Sequence, residues 1–557
     1  MKKMIAIAAL TLATVPLAAQ ETYEGAKIAQ EDLNGTARYV GMGGAMEALG
    51  ADISTISTNP AGIGVFRRSS ISVSMGVVSQ DGVSSMLGGN KTNVSFDQAG
   101  FVWSNQVNRK TFLNFAFNYH KSRNFNQILS VSDRLDNASL NKLTYAKAKN
   151  GLLYNEKAGT GNLAGLDVPD FDRPYFSCTQ LDDLLAYNMN FDPDAVDENG
   201  NPAPWGYYNA DEYTMGRATK GYIGEYDFNL SGNLGNRVYL GLTVGLHDVH
   251  YKHYSEYQEQ LPIYDVNGAT LEHIGMNVAD NREITGTGFD VKAGIIVRPI
   301  EASAFRIGAY VHTPTFYTLR TKNYTVVSDL MQSETPLFID QKAAHSSLEN
   351  MDANTRTNYK FRMRTPWHFG LSLGHTIGQQ VALGLTYDYA DHSSLDTRYI
   401  TDEYYDSDYE YYYDRSESDQ AMNLHTERTL KGVHTLKLGA EYKPTQDVAL
   451  RIGYNYVSPQ YEKGGFRDSS IDSFGTYVAS SADFTNWEDT HRFTLGAGYT
   501  YQKFNVSLAY QYSQTNGKFY PFMSYDEGAG SPDNNIATGV KVKNKRNQLL
   551  LTLGYTF

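Results

Sequence analysis

The residues that could do chemistry in this sequence lie in short motifs, and each motif departs from the pattern that its chemistry needs. The segment Gly370 to Gly374 reads Gly-Leu-Ser-Leu-Gly, which has the spacing of a nucleophile elbow. That elbow needs a strand, a sharp turn and a helix, whereas Ser372 lies in a run of alternating apolar residues that predicts an uninterrupted strand. The segment Gly41 to Gly44 is as glycine-rich as a phosphate-binding loop, but no βαβ unit flanks it. Neither motif predicts a catalytic or nucleotide-binding site.

Metal, haem and hydrolase chemistry also lack the residue spacing that they need. Tyrosines and carboxylates are dense between Asp402 and Asp414, but their order is not that of a dedicated calcium loop. The 13 histidines and 42 tyrosines offer haem ligands, yet the two residue types do not cluster. Nothing places a serine and a carboxylate beside His120, His247 or His368. The sequence therefore predicts no enzyme, no metal site and no cofactor.

Charged residues occupy several positions that the strand pattern predicts to face inward. The set is Asp227, Asp290, Lys292, Arg298, Arg306, Lys437, Glu441 and Arg451. Charges inside a membrane protein usually pair with one another, which predicts that this set clamps an N-terminal segment through Glu47 or Asp52. A sharper interpretation is that Arg306 or Arg451 binds a ligand carboxylate, because a guanidinium presents a fork matched to that group.

The elements that must position these residues are β-strands. Apolar and polar residues alternate over the ~9 to 11 residues that a membrane-spanning strand needs, as from Val238 to Leu246. Roughly fourteen such segments begin near residues 70, 95, 111, 221, 238, 283, 304, 357, 381, 423, 448, 490, 503 and 544. The number is even, and short connections alternate with long ones. This pattern predicts an all-β fold, a transmembrane antiparallel β-barrel with both termini in the periplasm.

Composition agrees with a barrel. Of the 557 residues 20% are charged and 13% aromatic, and no apolar run after residue 20 is long enough for a membrane helix. Aromatic residues such as Trp103, Trp367 and Tyr499 at predicted strand ends favour membrane interfaces over the alternative, a soluble all-β protein. The net charge of -13 argues against a nucleic-acid partner. The lone Cys178 excludes an internal disulfide.

The chain divides into three predicted parts. Residues 1–20 have the charged start, apolar run and small final residues of a signal peptide. Residues 21–69 form an N-terminal hatch, or plug, and residues 70–557 form the barrel, whose longest extracellular loop spans about residues 121–220. The last strand ends in Tyr555 and Phe557, which resembles the C-terminal signature read by the outer-membrane assembly machinery.

The predicted hatch combines a glycine-rich turn with an Asn-Pro-Ala sequence just before the first strand. The glycines are Gly41, Gly43 and Gly44, and the second motif is Asn59, Pro60 and Ala61. Both motifs resemble the hatch of the FadL/TodX family of outer-membrane transporters. The resemblance implies a barrel of fourteen strands that passes long-chain fatty acids or other hydrophobic compounds without energy input. It also implies that extracellular loops gather the ligand, which then leaves sideways past the hatch.

This chain departs from the family, and other functions stay open. Its longest loop is the second extracellular one, so ligand-binding residues are not carried over. A porin for polar solutes would need an open lumen, which the hatch opposes, and a surface-binding or adhesive barrel would act through its loops. Energy-coupled import is disfavoured because such barrels use about 22 strands. The expected partners are hydrophobic small molecules, outer-membrane lipids, lipopolysaccharide and the assembly machinery.

Overall fold

The computed structural model describes residues 21–150, 153–155, 159–161, 190–191, 194–197, 199–264, 270–329, 338–339, 358–406, 411–471, 473–477, 479 and 481–557. The predicted signal peptide, Cys178 and most of the predicted longest loop between 151 and 193 lie outside these ranges. So do residues 407–410 of the segment rich in tyrosine and carboxylate. Among the described residues, no helix has both the length and the apolar character needed to cross a membrane.

The secondary structure is dominated by long strands. In chain order they are β1 (Ser70–Asp81), β2 (Thr92–Asn108), β3 (Thr111–Asn124), β4 (Gln127–Ala138), β5 (Leu153–Asn155), β6 (Gly159–Gly161), β7 (Asn190–Phe191), β8 (Trp205–Gly206), β9 (Ala210–Leu234), β10 (Val238–Tyr264), β11 (Thr270–Val297), β12 (Arg306–His312), β13 (Phe316–Asp329), β14 (Phe338–Ile339), β15 (Asn358–Arg364), β16 (His368–Ile377), β17 (Val381–Asp391), β18 (Asp396–Asp406), β19 (Tyr411–Ser418), β20 (Gly432–Tyr442), β21 (Val448–Val457), β22 (Phe484–Tyr501), β23 (Phe504–Tyr520) and β24 (Val540–Thr556). The helices are α1 (Thr22–Ile28), α2 (Ala37–Gly41), α3 (Leu140–Lys149), α4 (Gln420–Thr429) and α5 (Phe474–Tyr477), with 3-10 helices at Ile53–Ser57, Pro60–Val65 and His392–Ser394.

The strands close into an antiparallel barrel. β1 pairs with β2 on one side and with β24 on the other, where Ser70 lies opposite Thr556 and Asp81 opposite Lys545. In the described part of the chain the ring has 14 strand positions, five of them shared by two successive strands: β3 with β4, β12 with β13, β15 with β16, β17 with β18, and β19 with β20. The predicted fourteen-stranded barrel is confirmed. Closure pairs backbone groups that would each cost several kcal/mol if left unpaired in lipid.

The outer face of the barrel is apolar in a band around its middle. Along β10 the alternate residues from Leu240 to Leu246 point outward, and each is more than 40% exposed. Thr243 and His247, which have the opposite parity, are buried. Beyond His247 the outward positions become polar, beginning with Asp248. Apolar side chains facing outward and polar ones facing inward are the arrangement of a barrel that spans a lipid bilayer.

Residues 21–66, called the inner segment here, run inside the ring of strands. Their contacts reach strands on different sides of the ring: Asn114 Nδ2 on β3 donates to the Ile63 carbonyl (2.7 Å), and Lys437 Nζ on β20 donates to Glu47 Oε1 (2.9 Å). Within the segment, Thr36 caps α2 and donates to the Asp52 carboxylate. The inner segment is therefore a folded element bonded to the wall around it.

A row of glycines lets the backbone of the inner segment lie directly on the wall. Gly384, Gly439 and Gly453 are neighbours in register on β17, β20 and β21. A Cβ atom on Gly384 would lie 1.8 Å from the Ala45 carbonyl oxygen, and one on Gly439 would lie 2.2 Å from that of Met42. Any larger residue would push the two backbones apart. The glycine-rich turn of the inner segment thus meets a glycine-rich wall.

The inner segment begins at the end of the barrel that carries the long connections. The Tyr23 ring of α1 stacks on Tyr461 at 5.0 Å, in the connection between β21 and β22. Phe557 lies at the opposite end, where its amide donates to the Ser69 carbonyl (2.9 Å). Tyr23 therefore lies at the long-connection end and Phe557 at the short-turn end. That both termini of the mature chain lie in the periplasm stays a prediction.

Replacing Gly439 by alanine should lift the inner segment off the wall, because the new Cβ would meet the Met42 carbonyl oxygen. We expect proteoliposomes that contain Gly439→Ala barrels to swell faster in a small sugar than those with the unchanged protein. Gly232→Ala is the matched control, since a Cβ at Gly232 meets nothing within 4 Å. Equal swelling rates for all three proteins would contradict this account of the glycine row.

Candidate functional site

The inner segment and the wall enclose a cavity of about 280 Å³. Its lining includes residues 27–34 of the inner segment and inward side chains from many strands. Charged and amide groups dominate this lining, with apolar side chains such as Val78 and Phe125 among them. The volume is near the lower end of the ~300 to 1,000 Å³ that small-molecule pockets occupy.

Beside the cavity, β2 and β3 stop pairing before either strand ends. Their pairing stops at Gln98 opposite His120, although β2 begins at Thr92 and β3 continues to Asn124. Residues 92–96 pair with β1, and Lys121, Arg123 and Asn124 pair with β9, so the two facing edges are not paired with each other. We call this opening the window. Asp97, bulged out of the β1 pairing, lies on one edge of it.

The window has an apolar outer rim. On the outer face Val94 is 86% exposed and Phe96 is 43% exposed. The Phe96 ring stacks on the Tyr119 ring at 5.7 Å, across the base of the opening. At the top, Gln80 bridges to Ile128 through two hydrogen bonds of 2.7 Å, one to its carbonyl and one from its amide. The window is therefore bounded above and below by contacts of the wall itself.

Two residues of the inner segment close the window from inside. The Asp32 amide donates to the Ser122 carbonyl (2.8 Å), and Asp32 Oδ2 accepts from the Asn124 amide (2.9 Å). Asn34 Nδ2 donates to the Lys121 carbonyl and to Asp97 Oδ1, both at 3.0 Å. Asp32 and Asn34 thus provide hydrogen bonds that a neighbouring strand would otherwise make with the edge of β3. Closure of the window depends on side chains and a single amide, not on a continuous ladder.

Three arginines surround Asp32 on the cavity side of the window. Its carboxylate lies 3.1 Å from Arg123 Nη1, 3.8 Å from Arg492 Nη2 and 4.0 Å from Arg546 Nη1. Burial alone would raise the pKa of Asp32, but the three guanidinium groups outweigh it and hold the pKa below its ordinary value. One carboxylate among three guanidiniums leaves surplus positive charge. The cluster can accept a second anion, and a carboxylate matches the guanidinium fork.

A second cluster of charges lies deeper in the lumen. Lys292 Nζ contacts the Glu225 carboxylate and lies 3.3 Å from Asp227 and 3.4 Å from Asp290. His120 and His247 approach the same carboxylates, and in each case the ligand atoms lie close enough to hold a metal ion. The ammonium of Lys292 already sits among all three carboxylates, so these groups form a closed ion network. The prediction that inward charges pair with one another is confirmed for Asp227, Asp290 and Lys292.

The two arginines predicted to bind a ligand carboxylate contact the inner segment directly or through one other residue. Arg451 Nε donates to Glu441 at 2.6 Å, and Glu441 also pairs with Arg38 of the inner segment at 3.1 Å. Arg306 donates to the Leu49 carbonyl. Neither Arg306 nor Arg451 lines the cavity. These contacts are the kind that the clamp interpretation predicts, and ligand binding by Arg306 or Arg451 stays a prediction.

The clamp also includes the glutamate that the sequence singled out. Lys437 Nζ lies 2.9 Å from Glu47 and 2.8 Å from Asp388 on β17. Glu47 accepts further hydrogen bonds from Tyr39 (2.9 Å) and Thr386 (2.6 Å). Asp52, the other predicted partner, bonds within the inner segment.

The predicted hatch motifs form turns of the inner segment. Asn59 Nδ2 donates to the Glu47 carbonyl (3.0 Å), and Asn59 Oδ1 accepts from the Ala61 amide (3.2 Å). Pro60 follows as the first residue of a 3-10 helix, a position where its missing amide proton costs nothing. Gly43 and Gly44 adopt positive φ angles of 63° and 81°, and Gly41 packs against the Gly496 backbone. At the C-terminus Tyr555 and Phe557 have ring centroids 5.1 Å apart.

The sequence analysis missed Asp32 and the three arginines around it. Arg123 lies beyond the predicted end of its strand, and Arg492 and Arg546 lie at the predicted starts of theirs, where alternation is hardest to assign. The sequence did contain a signal that Arg492 and Arg546 face inward. They have the same parity as Thr494 and Gln548 farther along β22 and β24, which are buried.

Comparisons with known proteins find likeness in structure only: no family model and no curated protein matches the chain. A Pseudomonas aeruginosa FadL homologue is 12% identical, with 95% of this chain and 99% of that chain covered and a TM-score of 0.47. The Ralstonia pickettii toluene transporter TbuX is 11% identical, with 94% of this chain and 99% of that chain covered and a TM-score of 0.43. The Pseudomonas putida toluene transporter TodX is 10% identical, with 94% of this chain and 98% of that chain covered and a TM-score of 0.40. Each of these three matches extends over most of this chain, at low sequence identity.

Proposed function

We propose that the chain is a passive outer-membrane transporter of hydrophobic compounds with an acidic head, such as long-chain fatty acids. The observation that carries this proposal is the window between β2 and β3, which joins the cavity to the apolar outer rim. It is closed by Asp32 and Asn34 of the inner segment and by one hydrogen bond across it, from Lys121 Nζ to Ser95 Oγ (2.5 Å). A porin needs no lateral opening, and an adhesive barrel needs no cavity behind one. In this proposal the long loops gather the ligand and the inner segment acts as the hatch.

The arginine cluster supports an acidic head on the substrate. A carboxylate that enters the cavity meets Arg123, Arg492 and Arg546, whose charge Asp32 only partly neutralises. Binding there competes with Asp32, and Asp32 also bonds Ser122 and Asn124 on the window edge. Ligand binding and window opening are therefore coupled through one side chain. The acyl chain then passes sideways into lipid, where each buried CH₂ gains about 0.8 kcal/mol.

A channel for small polar anions is the second candidate, because the cavity lining is rich in charged and amide groups. That function needs a path along the barrel axis to the short-turn end. The inner segment occupies this path, with its backbone against Gly384, Gly439 and Gly453. In the favoured proposal the short-turn end faces the periplasm, and the assembly machinery reads the strand that ends in Phe557.

Cells that make this protein should take up a radiolabelled long-chain fatty acid faster than cells without it. The double variant Arg492→Gln, Arg546→Gln should lower that uptake by about tenfold at limiting substrate, because a hydrogen bond to a charged group contributes roughly 1.5 to 3 kcal/mol. Uptake of the uncharged methyl ester should not change. Arg134→Gln, an exposed arginine on β4, is the matched control.

Either of two results would count against the proposal. Equal loss of acid and ester uptake in the double variant would mean that the arginines hold the barrel together and bind no headgroup. Fatty-acid uptake equal with and without the protein, together with uptake of small polar anions, would favour the polar channel.

Fixing the inner segment to the window edge should block release. In a Cys178→Ser background, the pair Asn34→Cys and Asp97→Cys replaces two side chains that already meet at 3.0 Å. Oxidation should abolish fatty-acid uptake, and a reductant should restore it. The control pair is Thr490→Cys and Thr515→Cys, whose hydroxyls meet at 2.8 Å on β22 and β23, two strands that do not border the window. Uptake that survives the first cross-link would exclude lateral release at this window.

A further inference from the structure

The outer face of β23 and β24 carries four lysines above the apolar band. Leu549 and Tyr510 lie opposite each other in register and point outward, 48% and 40% exposed. With the same parity, the outward positions farther along β24 are Asn547, Lys545, Lys543 and Lys541. Lys518 on β23 lies directly opposite Lys541. The four lysines, called the lysine ladder here, therefore share one face and are continuous with the band.

The ladder has little negative charge beside it. No carboxylate lies within 4.0 Å of any of its four ammonium groups among the residues that the structure describes. The carboxylate nearest in register is Asp81, opposite Lys545, and its Oδ2 accepts a hydrogen bond from Asn547 (2.7 Å). The chain as a whole has a net charge of -13. This face therefore carries a local excess of positive charge, although the net charge of the chain is negative.

The lower end of the ladder lies at the height of the headgroup region of a bilayer. Lys545 is four residues beyond Leu549, which is about 13 Å along a strand at ~3.3 Å per residue. A strand tilt of ~40° reduces this to a height of roughly 10 Å above the apolar band. Lys543 lies about 5 Å higher than Lys545, and Lys541 about 10 Å higher, with flexible side chains that can reach back toward the bilayer. The ladder therefore begins at the level where lipid phosphates lie.

We propose that the lysine ladder binds the phosphate groups of phosphorylated lipids in the leaflet at the long-connection end. Charge complementarity and continuity with the lipid-facing band point to a lipid rather than to a soluble acidic partner. Each lysine near an anionic lipid surface contributes about a fivefold gain in affinity. This site is separate from the proposed transport path, because its side chains point away from the lumen.

The test uses the full barrel in phosphatidylcholine nanodiscs that contain a small fraction of diphosphoryl lipid A. Bound lipid A is counted per barrel by native mass spectrometry. The variant Lys541→Gln, Lys543→Gln, Lys545→Gln should bind lipid A at least tenfold more weakly than the unchanged barrel, and dephosphorylated lipid A should not be enriched by either. The charge-keeping variant Lys541→Arg, Lys543→Arg, Lys545→Arg should bind like the unchanged barrel.

The control variant Arg134→Gln, Arg428→Gln, Lys463→Gln removes three exposed charges elsewhere at the long-connection end. Equal loss of lipid A in this control would overturn the proposal, since any surface charge would then serve. Unchanged binding in the triple lysine variant would overturn it as well. Gel mobility with and without heating confirms that each variant is a folded barrel. Fatty-acid uptake is measured in parallel, so failure of the ladder and failure of the transport function are distinguished.

Discussion

The structure depends on one constraint: backbone amides and carbonyls inside a membrane need a partner, because water is absent there. Along most of the described ring, neighbouring strands provide that partner through continuous antiparallel ladders. At the window the ladder stops, and the edge of β3 would be left open. Asp32 and Asn34 of the inner segment complete it. The same hydrogen bonds therefore position the inner segment and satisfy the open edge of the wall.

The inner segment is held differently along its length. Between residues 38 and 61 it is fixed by ion pairs such as Lys437 with Glu47 and by direct backbone contact at Gly384 and Gly439. Around Asp32 it is held by hydrogen bonds, by one ion pair of 3.1 Å with Arg123 and by two longer ion pairs of 3.8 and 4.0 Å. The tightly packed part can stay in place while the stretch at the window moves. In the proposed function, such a division would let a lateral opening form without opening the barrel along its axis.

The barrel itself could be predicted from the sequence because strand alternation has a period of two and leaves a signal in every segment. The glycine-rich turn near Gly43 could also be recognised from the sequence, because positive φ angles and close backbone contact both require glycine. The window could not be predicted, because it depends on where Gln98 and His120 end their pairing, which is a relation between two strands. The arginine cluster was missed because Arg123, Arg492 and Arg546 come from three distant segments that meet only in the closed ring.

Electrostatics explains why the same cluster can both close the window and respond to a ligand. Asp32 is stabilised by three cations, and a ligand carboxylate would be stabilised by the same three. A ligand shifts the equilibrium only by the difference in its affinity for the two states. A carboxylate gains most when Asp32 has moved away, because two anions in one buried site repel each other. In the proposed function, the open state would therefore bind the ligand more tightly than the closed state, and the exchange would need no energy source.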